Sequence, residues 1–185
     1  LTDNQPKAMI PLKDKSILEH ISDTYRNHGI NKIHVVRGYK KESINFPELN
    51  YIDNDDHETT SELSSFHKAI DQISGDIVCS FGDVLFKPYL LQLLDECEDD
   101  LVIVIDTQWK DSVNKDRAAD YVNCSQPHSR ANYGDSIFLE SAGENLGEDS
   151  IHGEWMGIIK ISSAIFPTVR KEVDSLSKLE NFDSM

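Results

Sequence analysis

Short apolar segments alternate with stretches of helical periodicity through the first 109 residues, and this alternation constrains the fold more than any other feature of the chain. Residues 32–37, 49–52, 77–81 and 101–105 are each short, rich in β-branched or aromatic side chains, and bounded by Gly, Asn or acidic residues. That composition reads as strand. Between them lie residues 14–29, 62–73 and a stretch opening at Pro88, each with apolar side chains at helical spacing. In the first, Asp14 and Ser16 can cap the start, Ile17, Leu18, Ile21 and Tyr25 form a stripe, and Gly29 stands at the stop. Lys40 to Asn45 is long enough for one short helix. Leu101-Val102-Ile103-Val104-Ile105 is continuously apolar, as a strand covered on both faces should be. Such an order predicts an α/β fold, a mainly parallel sheet flanked by helices in three layers.

The pattern changes after Trp109. Residues 110–152 are polar, carry Gly134, Gly143 and Gly147, and alternate only near 117–124 and 136–141. They are expected to form a small inserted β-hairpin with a mobile loop. A strand returns at Trp155–Ile161, followed by a last helix over about residues 163–179. With 185 residues the chain is sized for one domain with a substantial core.

Charge narrows the partners. The chain carries 33 acidic against 18 basic side chains, a formal net charge of −15. Nucleic acid is excluded as a partner, because little is available to neutralise a phosphate backbone. An anionic membrane surface is disfavoured on the same ground. No apolar run is long enough to span a bilayer, and no secretory h-region opens the chain. Cys79, Cys97 and Cys124 are odd in number and widely spaced, which fits neither a disulfide framework nor a zinc site and suits a cytoplasmic location.

Four places carry side chains suited to chemistry. Phe81-Gly82-Asp83-Val84-Leu85-Phe86 sets a carboxylate just past an apolar strand, the edge at which open α/β sheets bind ligands. A hard oxygen donor there suits Mg²⁺, and Gly82 leaves room for a ligand at the backbone. A solvated Asp opening a turn would look the same. Pro6-Lys7 lies in a stiff segment closed by Pro11, so its ammonium can serve a phosphate as a point charge, or simply be a surface lysine. Asn54 to Ser65 crowds Thr59, Thr60, Ser61, Glu62, Ser64 and Ser65 at a helix start, a capping region and also a polar pocket for a base or ribose. His152-Gly153-Glu154-Trp155-Met156-Gly157 puts a carboxylate and an indole at the entry to the late strand. The acidic runs Asp53/Asp55/Asp56 and Glu96/Glu98/Asp99/Asp100 read as solvated turns. Zinc spacing, a G-x-S-x-G elbow, a P-loop and a G-x-G-x-x-G fingerprint are all missing from the sequence.

Taken in order, these motifs resemble the sugar-phosphate-type nucleotidyltransferases, which have a GT-A-like α/β fold. The resemblance runs through Pro6-Lys7, Ile17-Leu18, Gly29-Ile30, Val35-Val36, Gly38-Tyr39, Asn54, Thr60–Ser65, Ala69 and Gly82-Asp83. It covers residues 2–109 in good order and 150–180 more loosely. Thr60–Ser65, Gly82–Phe86, Val104-Ile105-Asp106 with Trp109, and His152–Gly157 look most like the cytidylyltransferase domains of phosphonate biosynthesis. Those domains are often fused to phosphoenolpyruvate mutase, so a fused or associated mutase domain is an expected partner. Choline-phosphate enzymes share the plan.

The resemblance implies Mg²⁺-dependent transfer of CMP from CTP to a small phosphonate or phosphocholine-like acceptor, with release of pyrophosphate. Asp83 would hold the metal and Lys7 would contact the phosphates as the catalytic pair. Thr60, Ser61, Glu62, Ser64, Ser65 and Gly82 would border the nucleotide. Asp106, Glu154 and Trp155 would face the acceptor. A −15 chain gathering two anionic substrates needs local cations. Other readings are a sugar-1-phosphate nucleotidyltransferase and a non-catalytic nucleotide-binding domain. The family's G-x-G-x-R-L loop before the Pro-Lys pair, and the acid that completes its metal site, are not matched. Residues 1–185 are therefore expected to be a single nucleotidyltransferase domain without its Gly-rich loop and its C-terminal end, with Asp174 and Asp183 as candidates by position for the missing acid.

Overall fold

The computed structural model of the chain describes residues 4–111, 119–143 and 146–184. In chain order the elements are β1 (Pro11–Leu12), β2 (Lys15–Ser16), α1 (Ile17–Asn27), β3 (His34–Arg37), β4 (Asn50–Asp53), α2 (Glu62–Ala69), β5 (Ile77–Ser80) and α3 (Tyr89–Glu96). After them come β6 (Leu101–Asp106), β7 (Tyr121–Cys124), β8 (Leu139–Ala142), β9 (Gly153–Ile161) and α4 (Phe166–Leu176). The chain divides into two compact units, residues 1–102 with 160–185, and residues 103–159. Strands β6 and β9 each run through a boundary between them.

In the first unit, β1 and β2 form a small antiparallel ribbon that turns at Lys13, held at φ +60°. Ser16 then caps α1. Its hydroxyl accepts from the Glu19 amide at 3.3 Å, while the Glu19 carboxylate accepts from the Ser16 amide at 2.8 Å. This reciprocal box satisfies two amides that a helix start leaves bare. The helix stops at Gly29, whose φ of +92° lets its amide reach the Arg26 carbonyl and the Ile30 amide reach that of Tyr25. Leu18, Ile21, Ser22 and Tyr25 form the buried face.

Strands β3 and β4 pair in parallel, His34 opposite Asn50 and Arg37 opposite Asp53. Arg37 fixes that end. Its Nε donates to Asp53 at 2.7 Å, its guanidinium lies 4.0 Å from the Tyr51 ring centre, and it donates to the Ile44 carbonyl. The stretch expected as a short helix at 40–45 is a single 3₁₀ turn, Lys41–Ser43. Gly38 is required by space: a Cβ there would stand 2.4 Å from the His57 Cβ.

Helix α2 is shorter than its apolar spacing predicts, ending at Ala69 although Ile70 remains buried. Helix α3 follows Pro88 and buries Leu91 and Leu94. The Lys160 ammonium closes its far end, donating to the Leu94 carbonyl at 2.8 Å and to that of Cys97. Helix α4 buries Phe166 and Val173. The apolar runs in β5 and β6 are half-buried rather than enclosed, with Leu101 exposed. A continuous apolar run marks a strand without fixing how many of its faces are covered.

In the second unit, β7 pairs antiparallel with β9, Tyr121 opposite Glu154 and Val122 opposite Gly153. On its other side β7 pairs antiparallel with β8, with a bulge at Asn123/Cys124. This is the expected hairpin, although residues 112–118 and 144–145 of that region lie outside the described ones. Val122 and Ile158 are fully buried, whereas all four residues of β8 are exposed. Parallel β3–β4 together with antiparallel β7–β8 and β7–β9 makes this an α/β protein with mixed pairing, and the described residues form four α-helices.

Candidate active site

The candidate catalytic pair comes together in the first unit. Lys7 begins a 3₁₀ turn, Lys7–Met9, held after Pro6, and Asp83 follows β5. The Lys7 Nζ lies 3.7 Å from the Asp83 Oδ2, an ion-pair distance too long for a hydrogen bond. Both side chains are open to solvent, 70% and 39% exposed. The space before Gly82 is also open: a Cβ there would meet only the Ala8 methyl, at 3.8 Å. Glycine is thus not demanded by packing at this position, and the gap is one that a ligand can fill.

Mg²⁺ keeps several waters and takes one or two carboxylates plus substrate phosphates. Asp83 offers one hard, solvent-reached carboxylate beside an open backbone, which fits a metal carried in largely by a triphosphate. Among the described residues no group of three or more His, Cys, Asp or Glu side chains is arranged to hold a metal by itself.

The Thr/Ser-rich segment is organised by Asn54, which is 2% exposed. Its amide nitrogen donates to the Thr60 hydroxyl at 2.9 Å and the Ser65 hydroxyl at 3.1 Å, and its carbonyl oxygen accepts from the Asp56 amide at 3.2 Å. Ser61 occupies the N-cap position of α2 in extended conformation, yet its side chain makes no cap, and its buried hydroxyl has no partner. Of the hydroxyls crowded at this helix start, Asn54 gathers those of Thr60 and Ser65, while Thr59 donates to the Asp56 carbonyl at 3.1 Å. Glu62 lies in the helix's first turn.

Ser64 faces elsewhere, donating to Asp183 Oδ1 at 2.9 Å. His67, one turn further along, pairs with Asp174 at 3.1 Å and sets its ring edge-on to Phe182. Asp174 and Asp183, candidates for a second metal ligand, are thereby engaged with α2. A cleft of about 410 Å³ runs along this face between Thr60, Ser64, His67, Lys68 and Asp183. Lys68 lies 2.9 Å from Asp56 and holds its carboxyl below the usual range.

The acceptor candidates belong to the second unit. Asp106 ends β6, and its carboxylate accepts from the Gln108 amide at 2.8 Å. A Cβ on Gly153 would lie 3.0 Å from the Asp106 carbonyl, so β9 can approach β6 this closely only with glycine there. Glu154 is buried, 6% exposed. Trp155 spends its indole N–H on the Ile158 carbonyl at 3.1 Å. Glu154 and Trp155 are successive residues of β9, so their side chains point to opposite faces and cannot line the same wall. The remaining acids are not metal cages: Asp53 pairs with Arg37 and Lys41, and Asp55 with Lys41.

Residues 3–148 match the MobA-like NTP transferase domain. The chain belongs to that family. It is therefore a nucleotidyltransferase domain. The CTP:phosphoglutamine cytidylyltransferase of Campylobacter jejuni is 25% identical over 201 residues, covering all of this chain and 78% of that protein. The bifunctional protein GlmU of Methanococcus maripaludis is 32% identical over 103 residues, 51% of this chain and 24% of its own length. The CMP-5′-(3-aminopropyl)phosphonate synthase of Streptomyces rubellomurinus is 26% identical over 101 residues, 50% of this chain and 16% of its own. The chain thus spans under a quarter of the length of these last two relatives. Among solved structures, the inositol-1-phosphate CTP transferase from T. maritima superposes with a TM-score of 0.70 at 15% identity, covering 95% of this chain and 75% of that one. A likeness at that identity speaks to the NTP transferase fold. In the described residues no helix is long and apolar enough to cross a membrane.

Proposed function

We propose that this domain is a Mg²⁺-dependent cytidylyltransferase that moves CMP from CTP to a small acceptor bearing a phosphate or phosphonate. The carrying observation is the Lys7–Asp83 pair, which sets one cation and one hard carboxylate 3.7 Å apart beside the open backbone at Gly82. Membership in an NTP transferase family makes a triphosphate the natural occupant. Cytosine is favoured by the Campylobacter relative, which is named for CTP and aligns along this whole chain.

In this reading an acceptor oxygen attacks the α-phosphorus in line. The new P–O bond forms as the bond from the α-phosphorus to the bridging oxygen breaks, and pyrophosphate carries that electron pair away. Such a reaction asks the protein for position and charge rather than covalent help. Lys7 neutralises phosphate oxygens. Asp83 supplies the protein's ligand to Mg²⁺, which when bound adds positive charge against the triphosphate. Asn54 holds Thr60 and Ser65, and these two, with Gly82 and the neighbouring Ser61, Glu62 and Ser64, would border the nucleoside, as the family resemblance implies. Asp106, Glu154 and Trp155 would serve the acceptor, as the family resemblance implies.

A pyrophosphate-release panel tests this. CTP, UTP, GTP and ATP are each paired with hydroxyethylphosphonate, aminoethylphosphonate, phosphocholine and glucose 1-phosphate, with Mg²⁺ or EDTA. Release is expected with CTP and a phosphonate or phosphocholine, and only with Mg²⁺. Turnover confined to glucose 1-phosphate, or turnover persisting in EDTA, would overturn the proposal.

A further inference from the structure

The cleft between α2 and residues 177–183 is lined wholly by the first unit, and its hydrogen-bonding capacity is lopsided. The hydroxyl protons of its lining are all spent. Thr59 and Thr60 each donate to the Asp56 carbonyl at 3.1 Å, Ser64 donates to Asp183 Oδ1 at 2.9 Å, and Ser177 donates to the Asp174 carbonyl at 2.9 Å. A hydroxyl whose proton is committed still offers a lone pair. Each carboxylate of the lining has one oxygen engaged, Asp56 Oδ2 by Lys68 and Asp183 Oδ1 by Ser64, and a second oxygen that no described residue engages. Lys68, the lysine of the lining, is already tied to Asp56 at 2.9 Å. Phe182, edge-on to the His67 ring, adds an apolar wall. At about 410 Å³ the cleft has the size of a small-molecule site. Lys7, Gly82 and Asp83 do not line it.

We infer that this cleft is a second ligand site, which takes a small organic cation rich in N–H donors, a primary or secondary amine in its ammonium form. The ammonium groups donate to the second oxygens of Asp56 and Asp183 and to the hydroxyl lone pairs, and the methylenes between them lie against Phe182. Hydrogen bonds from a cation to a carboxylate are the strong ones. Lys68 supports this by keeping the Asp56 carboxyl ionised. A triphosphate is refused, because it brings acceptors and negative charge to a place that already has both in excess. The chain's charge of −15 draws any cation toward the surface, whereas the count of N–H donors selects among them. The site goes beyond the catalytic reading and stands whether or not the domain transfers CMP.

Calorimetric titration of the whole chain with spermidine, at about 0.15 M salt to screen the general charge, tests this. One equivalent is expected to bind. Tetramethylammonium, a cation with no N–H, and glucose, a donor with no charge, should bind far more weakly. Asp183→Asn removes one charge but keeps an acceptor for Ser64, and it should weaken spermidine at least about tenfold. Glu98→Gln removes the same charge from the exposed acidic run and should leave the affinity as it was. Thr59→Arg sets a bulky cation at the cleft and should abolish binding with Asp183 untouched, which keeps the test open if Asp183→Asn does not fold. Amide ¹⁵N–¹H spectra should place the spermidine shifts in residues 56–68 and 177–183. No binding to the parent chain, equal binding of tetramethylammonium or glucose, an equal loss in Glu98→Gln, or full binding in Thr59→Arg would overturn the assignment. Cytidine shifting the 177–183 amides as spermidine does would merge the cleft with the nucleoside site, and would overturn its being a second one.

Discussion

The Lys7 ammonium lies 3.7 Å from the Asp83 carboxylate, although the two residues come from opposite ends of the β1–β5 segment. At that spacing, with both groups open to water, the pair contributes little to stability. Its value lies in holding opposite charges at one open backbone site. Replacing Asp83 by Ala or Lys7 by Met should therefore leave the melting temperature nearly unchanged. Pyrophosphate release should fall by at least about 100-fold in each, the order seen when one preorganised charge-stabilising group is removed. Stopped assays of release at saturating Mg²⁺ and CTP measure this.

Asn54 should behave in the opposite way. It is buried and satisfies Thr60, Ser65 and the Asp56 amide at once. Truncation to Ala leaves those groups without their partner and should cost about 1–3 kcal/mol in urea unfolding. Asn54→Asp should also destabilise, since a carboxylate cannot donate to the two hydroxyls. Far-UV circular dichroism along a urea series gives both values.

Two glycines provide a matched comparison. A methyl on Gly38 would meet the His57 Cβ at 2.4 Å, so Gly38→Ala must displace packed atoms and should cost about 1–3 kcal/mol. Gly29 has φ +92° and nothing within 4 Å, so Gly29→Ala should cost only the backbone strain, about 1 kcal/mol. Differential scanning calorimetry of the two variants should rank Gly38→Ala as the less stable.

Alkaline stability is set in part by Tyr25. Burial pushes its phenol up to about 12 from its ordinary value of 10.0, and its ring sits edge-on to Phe86, 5.5 Å away. Because the folded value lies above the unfolded one, the stability this group contributes is complete below pH 10 and drains away as pH rises from 10 toward 12. A shift of this size corresponds to roughly 2–3 kcal/mol. Tyr25→Phe should lose less stability than the parent over that interval in pH-dependent urea titrations.

Much of the fold was legible because its signals are local. Ser16 and Gly29 bracket α1 as their chemistry requires, and the alternation read near 117–124 and 136–141 became a hairpin of strands Tyr121–Cys124 and Leu139–Ala142. Apolar spacing was a poorer guide where burial and helix part company: Ile70 is buried beyond the last turn of α2. The candidate site was partly legible as a set of motifs. Pro6-Lys7 and Gly82-Asp83 did meet in space. Asp174 and Asp183 were drawn to a metal role by their position, but they bond His67 and Ser64, a choice made by the packing of α4 and the chain end beside α2. Nor does the sequence say that the Cys124 amide donates to His152 Nδ1. That depends on where the hairpin places the Cys124 amide.

The outer strand of that hairpin, β8, which among the described residues pairs with β7 alone, has a consequence for handling the protein. Strand β8 presents Leu139 to water, and Phe138 and Tyr133 close by are exposed as well. Such an edge is a template for pairing with another chain. What opposes it is the charge of −15 that every copy carries. That repulsion reaches about 10 Å at 0.1 M salt and only about 3 Å at 1 M. Colloidal behaviour should thus be governed by ionic strength: concentrated solutions stay dispersed in dilute buffer and begin to self-associate as salt is added, a trend that light scattering follows directly.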